Sequence, residues 1–246
     1  MKRLEGKVAI VTGGAIGLGR HYTAALAAEG ARVAVVDVAA EAAHLPEGCR
    51  HWHTDVSDES AVETTIAEIA DWGGAIDILV NNAALYATLD NTKITDIDVA
   101  IWDKVMAVNL RGPFIMMKHV VPHMQAVKGG KIVNIGSGSA NKGMPFMAHY
   151  VTSKAGIFGL TRTASRELGA DNICVNTLSP GLILSDSILE NQKHLQTNRE
   201  RVVKSRALPR DGFPCDLIGA LIFLCSKESD FISGQTLAVD GGSVNL

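Results

Sequence analysis

The stretch "KVAIVTGGAIGLG", residues 7–19, decides the fold. Its first half is a run of small and β-branched apolar residues ending at Thr12, and its second half is a glycine-rich turn. Residues 17–30, which follow, have the length and apolar period of a helix. Strand, glycine turn and helix in that order form a seat for a pyrophosphate. Glycine lets the backbone come close, and the free N–H groups and dipole at the helix start favour an anion. The spacing is G-x-x-x-G-x-G (Gly13, Gly17, Gly19), not the commoner dinucleotide fingerprint, so placement between strand and helix carries the reading. Ala15, Ile16 and Leu18 fill the turn and join the candidate contacts.

The next β-branched run, "RVAVVD" (32–37), ends on Asp37, where an acid can accept hydrogen bonds from both hydroxyls of an adenosine ribose. The same carboxylate would oppose a 2′-phosphate, at about 4 kcal/mol per close like-charge pair for an effective dielectric near 20. Neither Ala15 nor Val38 beside it is basic. This combination selects NAD over NADP. A competing role for Asp37 is to cap a turn or helix starting at "VDVAAE".

Further runs follow at 49–55, 76–82, 130–136, 173–179 and 236–241, separated by segments of helical period at 58–72, 97–126, 150–169 and 214–226. Most runs are solidly apolar rather than alternating, as in strands covered on both faces. The alternation predicts βαβ units around a parallel sheet. Nothing marks an internal boundary, so residues 1–246 read as one domain. Residues 185–212 break the rhythm: they are polar and too long for an ordinary connection, and read as a substrate lid.

Composition narrows the class. The chain is 47% apolar and 20% charged with a net charge of −3, which supplies a full core and no basic field for nucleic acid. No apolar run is long enough to span a bilayer. The four cysteines lack C-x-x-C spacing, and "MKRLEGKVAIVTGG" reaches glycines before any signal-like apolar segment. The expectation is a cytoplasmic protein. His119 and His123 lie four apart on a helix, but no acid or cysteine joins them, so no metal is expected.

In "HYVTSKAG" (149–156), Tyr150 precedes Lys154 by one helical turn, so an ammonium could bias the ionisation of a phenol. Such a pair is also common where a ring packs under an aliphatic stem. Read together with "TGGAIGLG", "DV" (55–56), "NNAA" (81–84), "VN" (108–109), "GSGS" (136–139), "SPG" (179–181) and "ISGQTLAVDGG", the chain resembles the short-chain dehydrogenase/reductase family over its whole length.

The resemblance implies a Rossmann-like, doubly wound α/β fold with a seven-stranded parallel sheet in the order 3-2-1-4-5-6-7. It implies a catalytic group of Ser137, Tyr150 and Lys154, with Asn109 positioning a water beside the lysine. It also implies that Asp55 and Val56 meet adenine, that Asn82, Ala83 and Ala84 border the cofactor, and that Pro180, Gly181, Ile183 and Ser185 lie near the nicotinamide. Tyr86, Ser139, Met144, Phe146, His149 and Leu182 would line a mainly apolar substrate pocket. Ala84 stands where the family usually has glycine, and Ser185 where it usually has threonine.

A free phenol titrates near 10, and bringing it to about 7 takes roughly 4 kcal/mol of preferential phenolate stabilisation. Lys154 and the positive nicotinamide ring could supply this. The expected activity is therefore NAD-dependent interconversion of an apolar or ring-bearing secondary alcohol and its ketone. The rivals are a 3-oxoacyl-thioester reductase of the same family and a catalytically idle NAD-binding sensor. Helices 97–126 and 150–169 carry more apolar surface than one core needs, and with the family's pairing mode they suggest a homotetramer.

Overall fold

A computed structural model describes residues 2–189 and 199–244. Seven parallel strands lie in the order β3-β2-β1-β4-β5-β6-β7. They are β1 (Val8–Thr12), β2 (Arg32–Asp37), β3 (Cys49–His53), β4 (Ile78–Asn81), β5 (Gly130–Ile135), β6 (Ile173–Pro180) and β7 (Thr236–Val239). The solidly apolar runs form the buried centre: every residue of β1, β4 and β6 is buried.

Alternate residues of one strand serve opposite cores. Ala9 and Val11 of β1, with Val33 and Val35 of β2, pack on the side of α1 (Gly17–Ala28). Ile10, Ala34 and Val36 pack on the other side, against Ile66 and Ile69 of α2 (Glu59–Gly73). Asp58 caps α2 by accepting the amides of Ser60 and Ala61 at 3.0 and 3.2 Å, and Gly74 ends it at φ +72°.

The predicted helix 97–126 is interrupted. It runs as α3 (Val99–Met106), a π-helical turn (Ala107–Arg111) and α4 (Gly112–Ala126). The widened turn falls on Asn109, a feature that counting apolar period cannot detect. His119 of α4 sits 3.4 Å from Glu59 of α2. A short α5 (Ser139–Lys142) and the long α6 (Ala148–Leu168) follow. No helix among the described residues is long and apolar enough to cross a membrane.

The 185–212 stretch leaves and rejoins the body at one place. Ile183 forms a parallel bridge with Gly212, and the Leu184 amide reaches the Gly212 carbonyl at 2.8 Å. Between these ends lie α7 (Asp186–Leu189) and a helical stretch at 199–204. The rest of the expected lid, 190–198, lies outside the described residues. Then α8 (Pro214–Cys225) covers the α1 side of the sheet through Leu217 and Leu221.

Candidate active site

The carboxyl ends of the central strands open into a cleft of about 780 Å³. A parallel sheet whose order reverses between β1 and β4 leaves a crevice at that point, because the connections from those two strands run to opposite faces. The glycine turn forms one wall. A Cβ at Gly19 would lie 1.9 Å from the Gly13 carbonyl oxygen, and one at Gly13 would lie 2.9 Å from the Ala83 Cα. Gly13 and Gly17 also hold φ of +61° and +53°. These approaches explain the glycines, and they leave a backbone cradle at the start of α1 that suits a pyrophosphate.

Asp37 stands at the end of β2 with 7% exposure. One carboxylate oxygen accepts the Ala15 amide at 2.9 Å and the other the Ala39 amide at 3.0 Å. It therefore caps a turn while staying on the cleft wall with lone pairs to spare. No helix starts there. The Thr12 hydroxyl accepts the amides of Asn82 and Ala83 at 2.9 and 3.0 Å. The Asn82 side chain returns hydrogen bonds to the carbonyls of Thr12 and Gly13 at 2.9 and 3.0 Å. This brace locks the "NNAA" loop to the glycine turn.

Deeper in the cleft stand Ser137, Tyr150 and Lys154. The Ser137 hydroxyl partners the Tyr150 phenol and lies 2.9 Å from the Ser139 hydroxyl. Burial pushes the Tyr150 phenol up to about 12, against a smaller downward pull from Ser137. The i, i+4 spacing thus does not by itself bring the phenol below its ordinary value. Burial lowers Lys154 to about 8, and its Nζ donates to the Ile135 carbonyl at 2.7 Å. The ring of Tyr86 packs on that of Tyr150 at 4.6 Å between centroids, and burial raises its phenol too.

Asn109 is buried behind this group, off the cleft wall. Its side chain accepts the Leu85 amide at 2.7 Å and donates to the Leu85 carbonyl and the Ser153 hydroxyl at 3.1 and 3.2 Å. It pins the loop after "NNAA" to α6. A second buried chain ties strand to strand: Asn81 to Asn134 at 2.8 Å, Asn134 to Thr161 at 2.9 Å, and Thr161 to Thr177 at 2.8 Å.

All the expected cofactor contacts reach the cleft except Ala15 and Gly19, which shape it from below. Tyr86, Ser139, Met144 and Leu182 line it as expected. Phe146 and His149 do not, and those two pocket assignments are corrected. Phe146 takes φ +68° and is left 53% exposed, off the cleft wall. His149 is buried, with its Nδ1 accepting the Tyr150 amide at 2.8 Å at the start of α6.

Several wall residues went unforeseen, among them Lys104, Lys142, Ser187, Arg201 and Ser243. Lys142 falls one turn after Ser139 and could have been found by that spacing. Ser243 comes from the far end of the chain and carries no local signal.

A dinucleotide cradle joined to a serine–tyrosine–lysine group defines an oxidoreductase that works with a nicotinamide cofactor. Comparison with known proteins gives the same class. Residues 13–244 match the family model described as enoyl-(acyl carrier protein) reductase. The chain is 36% identical to a sorbitol dehydrogenase from Cereibacter sphaeroides, covering 98% of each chain. It is 35% identical to a 3-oxoacyl-[acyl-carrier-protein] reductase from Thermotoga maritima, over 98% of this chain and 99% of the relative. It is 34% identical to a galactitol 2-dehydrogenase from Agrobacterium fabrum, over 98% of each. The chain belongs to the short-chain dehydrogenase/reductase family.

Proposed function

We propose that the protein is an NAD-dependent alcohol dehydrogenase/ketone reductase that interconverts a secondary alcohol and its ketone. The observation that carries this is one cleft holding the Gly13–Gly19 cradle, Asp37 at its adenosine end and the Ser137–Tyr150–Lys154 group at the other. Asp37, the glycine turn, the "NNAA" loop and the 180–185 segment would hold NAD, which when bound supplies the hydride acceptor and a positive ring.

Tyr150 Oη takes the proton from the carbinol as that carbon gives up its hydride. Ser137 holds the substrate oxygen by a hydrogen bond. Lys154, beneath them, stabilises the phenolate once the cleft carries its cofactor, and passes the proton outward. Asn109 holds the loop after "NNAA" against α6 behind this group, with one lone pair of its amide oxygen left for a water in that relay. Tyr86, Leu182 and Ile188 give the substrate end an apolar lining suited to an aliphatic or ring-bearing alcohol. The 185–212 segment would act as the lid that excludes water during transfer. The cytoplasm and a homotetramer are the setting that goes with this reading.

A second reading, reduction of a 3-oxoacyl thioester, is favoured by the name of one relative. Asp37 opposes the NADPH such reduction generally uses. The deciding test is NADH formation when NAD is added to secondary alcohols, with Tyr150→Phe as control. Turnover in the parent and its near-complete loss in the variant, with NAD still bound, are expected. Turnover only with NADPH and a 3-oxoacyl thioester would select the second reading.

A further inference from the structure

The charges around the cleft are unevenly placed. Asp37 and Asp55 stand at the adenosine end, at and just beyond the ends of β2 and β3, whereas Lys104, Lys142, Lys154 and Arg201, with the single acid Asp240, stand on the wall elsewhere. Lys142 closes α5, the four-residue helix that starts at Ser139. Three residues of helix rise about 4.5 Å, so its stem leaves the same face one turn from Ser139. Ser139 is itself bonded to Ser137 at 2.9 Å.

The Lys142 ammonium donates to the hydroxyls of Ser243 and of Ser205, the latter at 3.2 Å, and those hydroxyls lie 2.6 Å apart. Among the described residues it makes no salt bridge to a carboxylate. Two neutral hydroxyls leave its charge uncancelled; the Ser205 proton is spent on the Val202 carbonyl at 2.8 Å, so it is the ammonium that would meet an incoming anion. The nearby carboxylate, Asp240, also lines the cleft, with its Oδ2 beside Gly138 rather than on the Lys142 ammonium. Its Oδ1 accepts the amides of Gly242 and Ser243 at 3.0 Å each, and its Oδ2 is buried. That turn holds the 243–244 segment beside Gly138, where an added Cβ would lie 3.4 Å from Val244. The subsite is thus built by α5, the 205 turn and the C-terminal segment together, next to the serine pair.

We infer that the preferred alcohol carries an anionic group, a carboxylate or a phosphate, which binds to Lys142 beside Ser243 on the cleft wall, about one helical turn from the Ser137–Ser139 pair, with Ser205 behind them. This rests on the dehydrogenase reading above and deepens it. The apolar lining of Tyr86, Leu182 and Ile188 then packs the body of the substrate, while Lys142 fixes one end of it.

The test uses matched pairs with NAD: 3-hydroxybutyrate against its methyl ester for a carboxylate, and sorbitol 6-phosphate against sorbitol for a phosphate. The expected result is a kcat/KM about tenfold or more higher for the anionic member of at least one pair, carried by KM. Which pair shows it distinguishes the two anions. Lys142→Met should cut that ratio about tenfold, while Lys142→Arg, which keeps the charge, should retain most of it. The parent's ratio should also fall as salt is raised. Oxidation of neutral members with no preference for the anions, or a ratio unmoved in Lys142→Met, overturns this inference and leaves the dehydrogenase reading intact. Failure on every alcohol overturns both.

Discussion

The Lys154 ammonium donates to the Ile135 carbonyl at 2.7 Å, at the end of β5, in a site where only 3% of the lysine is exposed. Burial lowers its pKa from 10.5 to about 8. Between those values the unfolded chain holds a proton that the folded one has released, so folding stability rises with pH across that window. The contribution is complete above 10.5 and is lost as pH falls through about 8. Lys154→Met removes it. Between pH 8 and 10 the parent should gain roughly 2–3 kcal/mol on the variant, read from denaturant midpoints of the cofactor-free protein. A pH-independent gap would show that the ammonium is not desolvated.

Asp37 joins cofactor choice to the shape of the glycine turn. In the parent, kcat/KM should favour NAD over NADP by about tenfold or more. Asp37→Asn removes the charge and keeps an acceptor oxygen, so the preference should narrow with modest loss of stability. Asp37→Ala also strips partners from the Ala15 and Ala39 amides, which costs about 1–3 kcal/mol more for each one left buried. Equal use of the two cofactors by the parent would remove Asp37 from the account.

At Gly19, the Cβ of alanine would overlap the Gly13 carbonyl oxygen at 1.9 Å, and backbone cannot yield cheaply. Gly19→Ala should lower NAD affinity about tenfold or more by titration, as the turn opens. Unchanged affinity would mean that the turn does not seat the pyrophosphate.

Asn134 sits between two polar partners in the sheet, Asn81 and Thr161. Asn134→Leu strands the buried Asn81 amide, while Thr161 keeps its bond to Thr177. The expected cost is about 1–3 kcal/mol, measured by urea denaturation. A neutral result would mean that water replaces the asparagine.

Among the exposed large apolar side chains, two sets bear on assembly. Val99, Ile101 and Phe114 lie along α3 and α4, and Phe231, fully exposed, lies near β7. Two patches of this kind suit two isologous contacts. Light scattering at micromolar protein should give the mass of four chains; a monomeric mass would refute the assembly.

The sheet was legible because both of its faces are covered, which makes β1, β4 and β6 unbroken apolar runs. The glycine turn was legible because a Cβ at Gly19 would lie 1.9 Å from the Gly13 carbonyl oxygen, a place that admits one residue type. What stayed hidden depends on direction and distance. Phe146 turns away through its own φ of +68°, which no pattern of neighbours announces. The π turn at Asn109 keeps the hydrophobic period of an ordinary helix at either end. Ser243 meets Lys142 from 101 positions away. The phenol of Tyr150 lies in the right place by spacing, yet its titration answers to burial rather than to the lysine.

The first turn of α7 leans on the glycine cradle: Arg20 pairs with Asp186, and a Cβ at Gly17 would meet the Ser187 hydroxyl at 2.8 Å. The residues that would hold a dinucleotide's pyrophosphate thus also hold the start of the 185–212 segment. An order of events in a turnover is expected from that coupling. NAD should bind first and NADH leave last, with NADH competitive against NAD and noncompetitive against the alcohol. Breaking the bridge with Arg20→Ala should hasten the departure of NADH, and so raise kcat wherever that departure sets the pace.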